Sequence, residues 1–313
     1  MSRIHEALKK AEQERAAVQA VDRLVPAAET TQSPAGQSVS ASAIGVEPIS
    51  RTSTLPPLAG YLRFDDLRTH CAHPHWHLDP NVNVFFNSSL SEHGAEQFRT
   101  LRSRLYQLRG AQTLRSLLVT SSIPGEGKTF VTSNLAQAIV RQPDRRVLII
   151  DADLRCSRLH VPLGAPCSPG LTDYLRGEVD EIAVIQHGQE GNLCFIAGGN
   201  EVTNPSELLS NGRMKLLLDR VTPVFDWVIL DSPPCLPVAD ASVLADLVDG
   251  VLMIVRAAST PSESAQRAVQ ELRGRNVIGV VLNAVDEASA YGSYYYTGYG
   301  YGDGRNEAKT GQT

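Results

Sequence analysis

The chain has 313 residues, a formal net charge of -5 and a hydrophobic content of 42%. It is long enough to bury one large core and to leave length for tails or linkers. The negative charge argues against an electrostatic grip on nucleic acid, so we expect no nucleic-acid partner. No apolar run approaches the roughly 18 to 20 residues that cross a bilayer, and the charged N-terminus is unlike a signal peptide. The sequence therefore predicts a cytoplasmic protein.

Changes in composition divide the chain into four predicted parts. Residues 1–20 have the narrow apolar stripe of an amphipathic helix. Residues 21–90 begin with a stretch of Ala, Ser, Thr, Gln and Pro that buries too little apolar surface to order itself, and we expect a linker and connector there. Residues 91–288 form the folded domain. Residues 289–313 carry a glycine-studded tyrosine cluster without the aliphatic residues of a packed strand, which predicts a disordered tail.

The connector contains a histidine-rich segment, HCAHPHWH, at residues 70–77. Alternating histidines can chelate zinc or nickel. The sequence has no second ligand cluster at the spacing of a zinc finger. It therefore favours a connector to the core over a functional metal site.

Short β-branched apolar runs alternate with helical patterns through the folded domain. Runs that are apolar on both faces, with crossover-length segments between them, are typical of a parallel sheet with helices on both sides. The sequence therefore predicts a doubly wound, mostly parallel α/β fold of the P-loop NTPase type, in which ligands bind beyond the carboxyl ends of the strands. The predicted strands are SLLVTS from 116, RVLIID from 146, LCFIA from 193, DWVILD from 226, GVLMIV from 250 and VIGVVLN from 277.

A candidate phosphate-binding loop follows the first of these strands. The segment SSIPGEGKTF stands between that strand and the helical stretch VTSNLAQAIV, which is the context that a Walker A loop requires. Its glycines let backbone amides close around phosphate oxygens, its lysine reaches the β- and γ-phosphates, and its threonine binds Mg²⁺. Ser122 stands where the strict motif has its first glycine. The predicted ATP-binding residues of the loop are Pro124, Gly125, Glu126, Gly127, Lys128, Thr129 and Phe130.

Carboxylates end two further predicted strands. Asp151 and Asp153 lie two residues apart, so both can face the phosphate loop, and Asp231 has the position of a Walker B acid. Transfer of a phosphoryl group to a phenol requires a base, because tyrosine has a pKa of about 10. We favour Asp151 as the base, and Asp153, Asp231 and Thr129 as Mg²⁺ ligands; the spacing also permits the two acids of the DxD pair to exchange roles. Lys128 joins that pair as the third predicted catalytic residue.

These motifs and the tyrosine cluster resemble the bacterial tyrosine kinases of capsular and exopolysaccharide systems, the CpsD/CapB-type autokinases. The matching segments occur in family order from about residue 93 to residue 302, which is two thirds of the chain. The resemblance implies an ATP- and Mg²⁺-dependent enzyme that phosphorylates its own tail in trans and regulates polysaccharide polymerisation and export. The matching segments are PGEGKT, LIIDADLR followed by His160, GLTDYLRGE, NPSELLS, FDWVILDSPP, DGVLMIVR, GVVLN and the tyrosine tail.

The resemblance also implies roles for residues outside the phosphate loop. Asn283 occupies the position that contacts the adenine base in related ATPases. Glu96, Arg99 and Arg102 match the ExxRxxR pattern that mediates ring-like self-association in the family. The tail supplies the acceptors of the phosphoryl group. The implied phosphoacceptors are Tyr291, Tyr294, Tyr295, Tyr296, Tyr299 and Tyr301.

The resemblance implies partners as well. Many relatives are fused to a two-helix membrane domain that this chain lacks, so we expect a separate membrane-embedded chain-length regulator that activates the kinase at the inner face of the cell membrane. The apolar stripe around Ile4 and Leu8 either docks this partner or packs on its own domain. Cycling of tail phosphorylation also implies a phosphotyrosine phosphatase.

Two other functions are compatible with parts of the sequence. A ParA/MinD-like ATPase shares the sheet and the DxD strand, but such proteins carry a lysine early in the loop, where this chain has Ile123, and have no tyrosine tail. An ATP-binding scaffold without phosphotransfer would use the tail as an adhesive Gly/Tyr segment. Substitution of Lys128 distinguishes the scaffold from the kinase, because only the kinase loses phosphotyrosine together with ATP binding.

Overall fold

The computed structural model describes residues 62–86, 91–189 and 191–285. The predicted amphipathic helix and the tyrosine tail lie outside these residues, as does most of the predicted linker. In the described ranges, no helix has both the length and the apolar character that a membrane crossing requires.

Seven strands of the described region form one sheet. They are β1 (Ser116–Ser121), β2 (Arg146–Asp151), β3 (Ile185–His187), β4 (Asn192–Ile196), β5 (Trp227–Asp231), β6 (Gly250–Arg256) and β7 (Val277–Asn283). Their order in the sheet is β3-β4-β2-β5-β1-β6-β7. Neighbouring strands are parallel, except that β3 and β4 are antiparallel. The predicted doubly wound, mostly parallel sheet is therefore confirmed.

Helices cover both faces of the sheet. Three of them, α2 (Ser91–Ala111), α3 (Lys128–Val140) and α4 (His160–Leu163), contribute to the core on one face, and the other described helices contribute to the core on the opposite face. The described helices are α1 (Phe64–His70), α2 (Ser91–Ala111), α3 (Lys128–Val140), α4 (His160–Leu163), α5 (Leu171–Arg176), α6 (Glu181–Val184), α7 (Pro205–Ser210), α8 (Arg213–Val221), α9 (Asp240–Ala245) and α10 (Ser262–Glu271).

The continuous apolar runs of the sequence follow from this double coverage. In β1, Leu117 and Val119 join the core cluster that contains α3, whereas Leu118 points to the cluster on the other face. Successive strand residues point to opposite faces, so a strand that is covered twice needs apolar side chains at every position. All six residues of β1 are buried.

Strand β3 is absent from the sequence prediction. It has three residues, pairs with β4 in the antiparallel direction, and its Gln186 also bridges to Ala72. Three residues carry too little periodicity to be recognised as a strand. Its strand conformation depends on partners that the local sequence does not specify.

Part of the predicted connector packs on the folded domain. In α1, Leu67 is fully buried, and the ring of Phe64 meets Phe225 edge-on with centroids 5.7 Å apart. The guanidinium of Arg146 lies 4.6 Å from the centroid of the Phe64 ring. Helix α1 therefore contributes to the core, although the predicted domain limit at residue 91 excludes it.

The histidine-rich segment follows α1 and supplies core residues. Cys71 and Trp76 are buried, and the Trp76 ring packs edge-on against Phe195 with centroids 6.1 Å apart. His73 Nε2 lies 2.7 Å from the Arg68 carbonyl oxygen. Among the described residues, no group of three or more His, Cys, Asp or Glu side chains is arranged to hold a metal ion.

We predict that Leu67→Ala lowers the free energy of unfolding by about 2 to 5 kcal/mol, because it removes a fully buried side chain from the core. Leu216→Ala is the control: Leu216 is 49% exposed on α8, and its truncation should cost less than about 1 kcal/mol. Urea unfolding of both variants measures the difference. Equal, small losses would mean that α1 does not contribute to the stability of the domain.

Candidate functional site

The loop between β1 and α3 has the backbone geometry of a phosphate cradle. Gly125 and Gly127 have φ values of 84° and 95°, in the left-handed region that favours glycine. A Cβ atom at Gly127 would lie 2.1 Å from Asn283 Nδ2, so the site also has no room for a side chain. Helix α3 begins at Lys128 and directs its N-terminal amides and its positive dipole end toward the loop.

Ser122, the departure from the strict motif, is explained by a contact within the loop. Its hydroxyl donates to the carboxylate of Glu126, with distances of 2.9 and 3.1 Å to the two oxygens. The backbone N–H of Ile123 donates to the same carboxylate at 2.7 Å. Glu126 is 1% exposed and its side chain is held inside the protein, so a contact of Glu126 with nucleotide would have to use its backbone.

Thr129 and Asp231, both predicted from the sequence to bind Mg²⁺, contact each other directly. The Thr129 hydroxyl donates to Asp231 Oδ2 at 2.6 Å. Burial raises the pKa of Asp231 to about 8, and the negative charge of Asp151 on the neighbouring strand adds to this increase. The hydrogen bond from Thr129 and the charge of Lys128 act in the opposite direction.

Asp151 is fully buried opposite Asp231 in the register of β2 and β5. Its Oδ2 accepts hydrogen bonds from the Ser157 hydroxyl at 2.7 Å and from the Leu159 N–H at 2.9 Å. Burial raises its pKa to about 6 in spite of these donors. Asp153 is half-buried, and its Oδ1 accepts from the Cys156 N–H at 3.0 Å. The two acids of the DxD pair therefore have different environments.

The residues around Thr129 and Asp231 suit Mg²⁺. A hydroxyl and carboxylate oxygens are hard ligands, and Mg²⁺ in proteins usually takes one or two carboxylates and completes its coordination with water and substrate phosphates. A cation would also compensate the buried carboxylate of Asp231.

Two residues that were not predicted from the sequence, Arg256 at the end of β6 and Thr260 in the turn that follows, contact the phosphate loop. Arg256 Nη1 donates to the Gly125 carbonyl oxygen at 3.2 Å, and the Thr260 hydroxyl donates to the Glu126 carboxylate. Asn283, at the end of β7, donates to the Glu126 carbonyl oxygen at 2.9 Å. Arg256 ends the strand beside β1, and this position at a carboxyl strand end is the signal that could have identified it.

A group of three polar side chains, to which no motif assigned a role, supports the segment after the DxD pair. Arg155 makes a bidentate ion pair with Asp240, with Nε at 2.7 Å from Oδ2 and Nη2 at 3.1 Å from Oδ1. Arg155 Nη2 also donates to the Ser206 hydroxyl at 3.0 Å. Asp240 is fully buried at the start of α9, and Ser206 lies on α7. The group therefore joins the end of β2 to two helices.

The three residues of the ExxRxxR pattern lie on α2, but in two environments. Glu96 and Arg99 are exposed and form an ion pair with each other at 3.0 Å. Arg102 is half-buried, and its guanidinium donates to the Ala138 carbonyl oxygen on α3 at 2.5 Å. The hydrogen bond of Arg102 to α3 is by itself a structural reason for an arginine at this position of α2. The role of the pattern in self-association stays a prediction.

A cavity of about 540 Å³ opens between α2, the start of α3 and the end of β7. Apolar side chains line most of it, including Phe98, Phe130 and Leu282, and Asn283 contributes a polar amide. Its volume lies in the range of small-molecule sites, which is about 300 to 1,000 Å³. Because Phe130 and Asn283 both border the phosphate loop, the cavity and the loop are adjacent.

Residues 117–295 match CbiA, the CobQ/CobB/MinD/ParA nucleotide binding domain family. This match covers more than half of the chain and includes the loop and all three acids. The chain therefore belongs to this family of nucleotide-binding domains.

Individual proteins that resemble this chain show to which group of nucleotide-binding proteins it belongs. The chain is 32% identical to the tyrosine-protein kinase YwqD of Bacillus subtilis over 216 residues, which are 68% of this chain and 91% of YwqD. It is 36% identical to the tyrosine-protein kinase etk of Escherichia coli over 211 residues, which are 67% of this chain and 29% of etk. The solved kinase domain of Escherichia coli ETK matches 75% of this chain and 87% of that structure, with a TM-score of 0.62 and 32% identity. Within the nucleotide-binding class, the chain belongs to the bacterial tyrosine-protein kinases.

We predict that Arg155→Met lowers the free energy of unfolding by about 3 kcal/mol, because it leaves the buried carboxylate of Asp240 without its cation. Lys215→Met is the matched control. It breaks an exposed ion pair with Asp219, which should contribute less than about 0.5 kcal/mol. Chemical unfolding of the two variants compares the pairs, and a similar loss in both would contradict a structural role for the pair of Arg155 with buried Asp240.

We also predict a pH effect in the protein without nucleotide and metal. Asp231 keeps its proton to about pH 8 when folded, whereas an unfolded aspartate loses it near pH 4. Protonated Asp231 therefore stabilises the fold below pH 4, and this contribution is lost as the pH rises to 8. The stability of Asp231→Asn relative to wild type should increase with pH over this range, by at most about 1.4 kcal/mol per pH unit.

The measurement for this prediction is urea unfolding of both proteins at pH 5, 6, 7 and 8. Asp219→Asn is the control, because it removes a carboxylate that is 59% exposed. A difference between Asp231→Asn and wild type that is constant with pH would show that Asp231 titrates normally.

Proposed function

We propose that the protein is an ATP- and Mg²⁺-dependent tyrosine autokinase. The observation that carries this proposal is the contact of 2.6 Å between Thr129 of the phosphate loop and Asp231, with Asp151 on the adjacent strand. The chain spans less than a third of the length of etk, and the activity of the whole protein is therefore proposed from the geometry of this site together with the family.

We propose that ATP lies across the loop and the adjacent cavity. The amides of Gly125, Gly127 and the start of α3 would hold the phosphates, with Lys128 at the β- and γ-phosphates. The adenosine part would lie at the end of the cavity near Phe130 and Asn283. Asn283 can bind the base through its carbonyl oxygen, because its contact with Glu126 uses the amide nitrogen.

In the proposed reaction, the oxygen of a tail tyrosine forms a bond to the γ-phosphorus of ATP. The bond from that phosphorus to the β–γ bridging oxygen breaks, ADP leaves, and the phenolic proton passes to a carboxylate. Asp151 suits this role, because a pKa of about 6 lies close to neutral pH, where general bases are most effective. The phenol would replace Ser157, which is the half-buried donor to Asp151. Bound Mg²⁺, held by Thr129, Asp153 and Asp231, would supply neutralisation of phosphate charge.

The proposed substrates are the tyrosines from Tyr291 to Tyr301 in neighbouring copies of the chain. Each phosphate adds about -1.5 to -2 charges, so a modified tail would repel its neighbours and loosen a ring formed through Glu96, Arg99 and Arg102. We further propose that a membrane-embedded chain-length regulator activates the kinase at the inner face of the membrane. A phosphotyrosine phosphatase would complete the cycle that controls polysaccharide polymerisation and export.

The proposal predicts that the purified chain, incubated with Mg-ATP, carries phosphate on one or more of Tyr291, Tyr294, Tyr295, Tyr296, Tyr299 and Tyr301. Lys128→Met should lose at least about 100-fold of this activity, because it removes the cation that stabilises the transferred group. Mass spectrometry with phosphosite mapping measures both results.

Lys215→Met is the control for that experiment, since it removes an exposed lysine far along the chain from the loop. It should keep wild-type phosphorylation. ATP hydrolysis without any phosphotyrosine would instead indicate a ParA/MinD-like ATPase. Binding of ATP with neither reaction would indicate a scaffold.

A further inference from the structure

The carboxylate of Glu126 stands in an unusual place, inside the loop that receives phosphates. It is 1% exposed, and in the described part of the chain no ion pair reaches it. Its charge is instead compensated by neutral donors: the Ser122 hydroxyl, the Ile123 N–H and the Thr260 hydroxyl. A carboxylate at this position repels the phosphates of a nucleotide. The three hydrogen-bond donors reduce this repulsion because they hold the Glu126 carboxylate in place and compensate its charge.

Thr260 is the donor that comes from outside the loop. It lies 134 positions along the chain from Glu126, in the turn between β6 and α10. Its hydroxyl donates to Glu126 and accepts from the Arg256 N–H at 3.0 Å. A hydroxyl has one hydrogen to donate, so this pair of contacts fixes its orientation. Thr260 therefore connects the end of β6 to the phosphate loop.

Residues near Thr260 also contact the phosphate loop or shape the backbone of this turn. Arg256 reaches the Gly125 carbonyl oxygen, which lies one residue before Glu126. Ala258, between Arg256 and Thr260, has a φ of 54°, in the left-handed region that is unfavourable for residues with a Cβ atom. The turn thus keeps a strained conformation while it supplies two contacts to the loop.

We propose that Thr260 is a positioning residue for nucleotide binding: its hydroxyl holds the Glu126 carboxylate away from the phosphates and fixes the peptide groups on either side of it. The inference rests on the proposed function of the loop as an ATP site. Glycines at 125 and 127 leave the loop many conformations when it is released. Loss of the Thr260 hydroxyl therefore weakens nucleotide affinity, whereas the chemistry at Asp151 and Asp231 is unchanged.

The test compares Thr260→Val, Thr260→Ser and Ser259→Ala in the full chain. Valine keeps the shape of threonine without the hydroxyl, serine restores the hydroxyl, and Ser259 is an exposed neighbour in the same turn. Titration calorimetry with Mg-ADP and kinetics with Mg-ATP measure affinity and turnover. Because a hydrogen bond to a charged group is worth roughly tenfold or more in an equilibrium constant, Thr260→Val should weaken Kd and raise KM about tenfold, with kcat within about twofold of wild type.

Thr260→Ser and Ser259→Ala should bind Mg-ADP within about threefold of wild type. The inference is overturned if Thr260→Val binds normally, if serine fails to rescue it, or if kcat falls while KM is unchanged. These results are separate from a failure of the proposed function. If the wild-type protein binds Mg-ADP but does not phosphorylate its tail, only the autokinase proposal is contradicted. If Thr260→Val binds Mg-ADP with normal affinity, only the role of Thr260 is contradicted.

Discussion

The whole site depends on keeping several negative groups together at one edge of the sheet. Asp151 and Asp231 end adjacent parallel strands and lie opposite each other in register, both out of contact with water. Their burial raises both pKa values, and the negative charge of Asp151 adds to the increase at Asp231, which is a cost to the folded protein. A site with this charge imbalance is prepared for a cation, and perturbed carboxylates of this kind cluster at functional sites.

Hydrogen-bond donors from separate structural elements compensate the negative charge of these two carboxylates. Thr129 at the start of α3 donates to Asp231, and Ser157 with the Leu159 backbone donates to Asp151. In the same segment after β2, Arg155 forms an ion pair with buried Asp240. The acids are therefore held by α3 on one side and by the segment after β2 on the other, which gives them defined positions relative to the phosphate loop.

The phosphate loop is held from its other side in the same way. The ends of β6 and β7 reach it through Arg256 and Asn283, which donate to the carbonyl oxygens of successive loop residues. Parallel strands have their carboxyl ends at the same edge of the sheet, so residues at the ends of β6 and β7 can contact the loop that follows β1. The order β5-β1-β6-β7 places these supports beside the loop.

Local patterns in the sequence were enough to predict several parts of the protein. They are the apolar runs of six strands, the loop that ends in Lys128 and Thr129, and the acids Asp151 and Asp231. Tertiary structure decided the rest. The strand conformation of β3 comes from pairing with β4 and Ala72, and α1 joins the core through contacts with residues far along the chain. Likewise, Thr260 meets Glu126 across 134 positions, and no spacing in the sequence specifies such a contact. Burial is also a property of the fold, so the raised pKa values of the acids could not be predicted from the order of the residues.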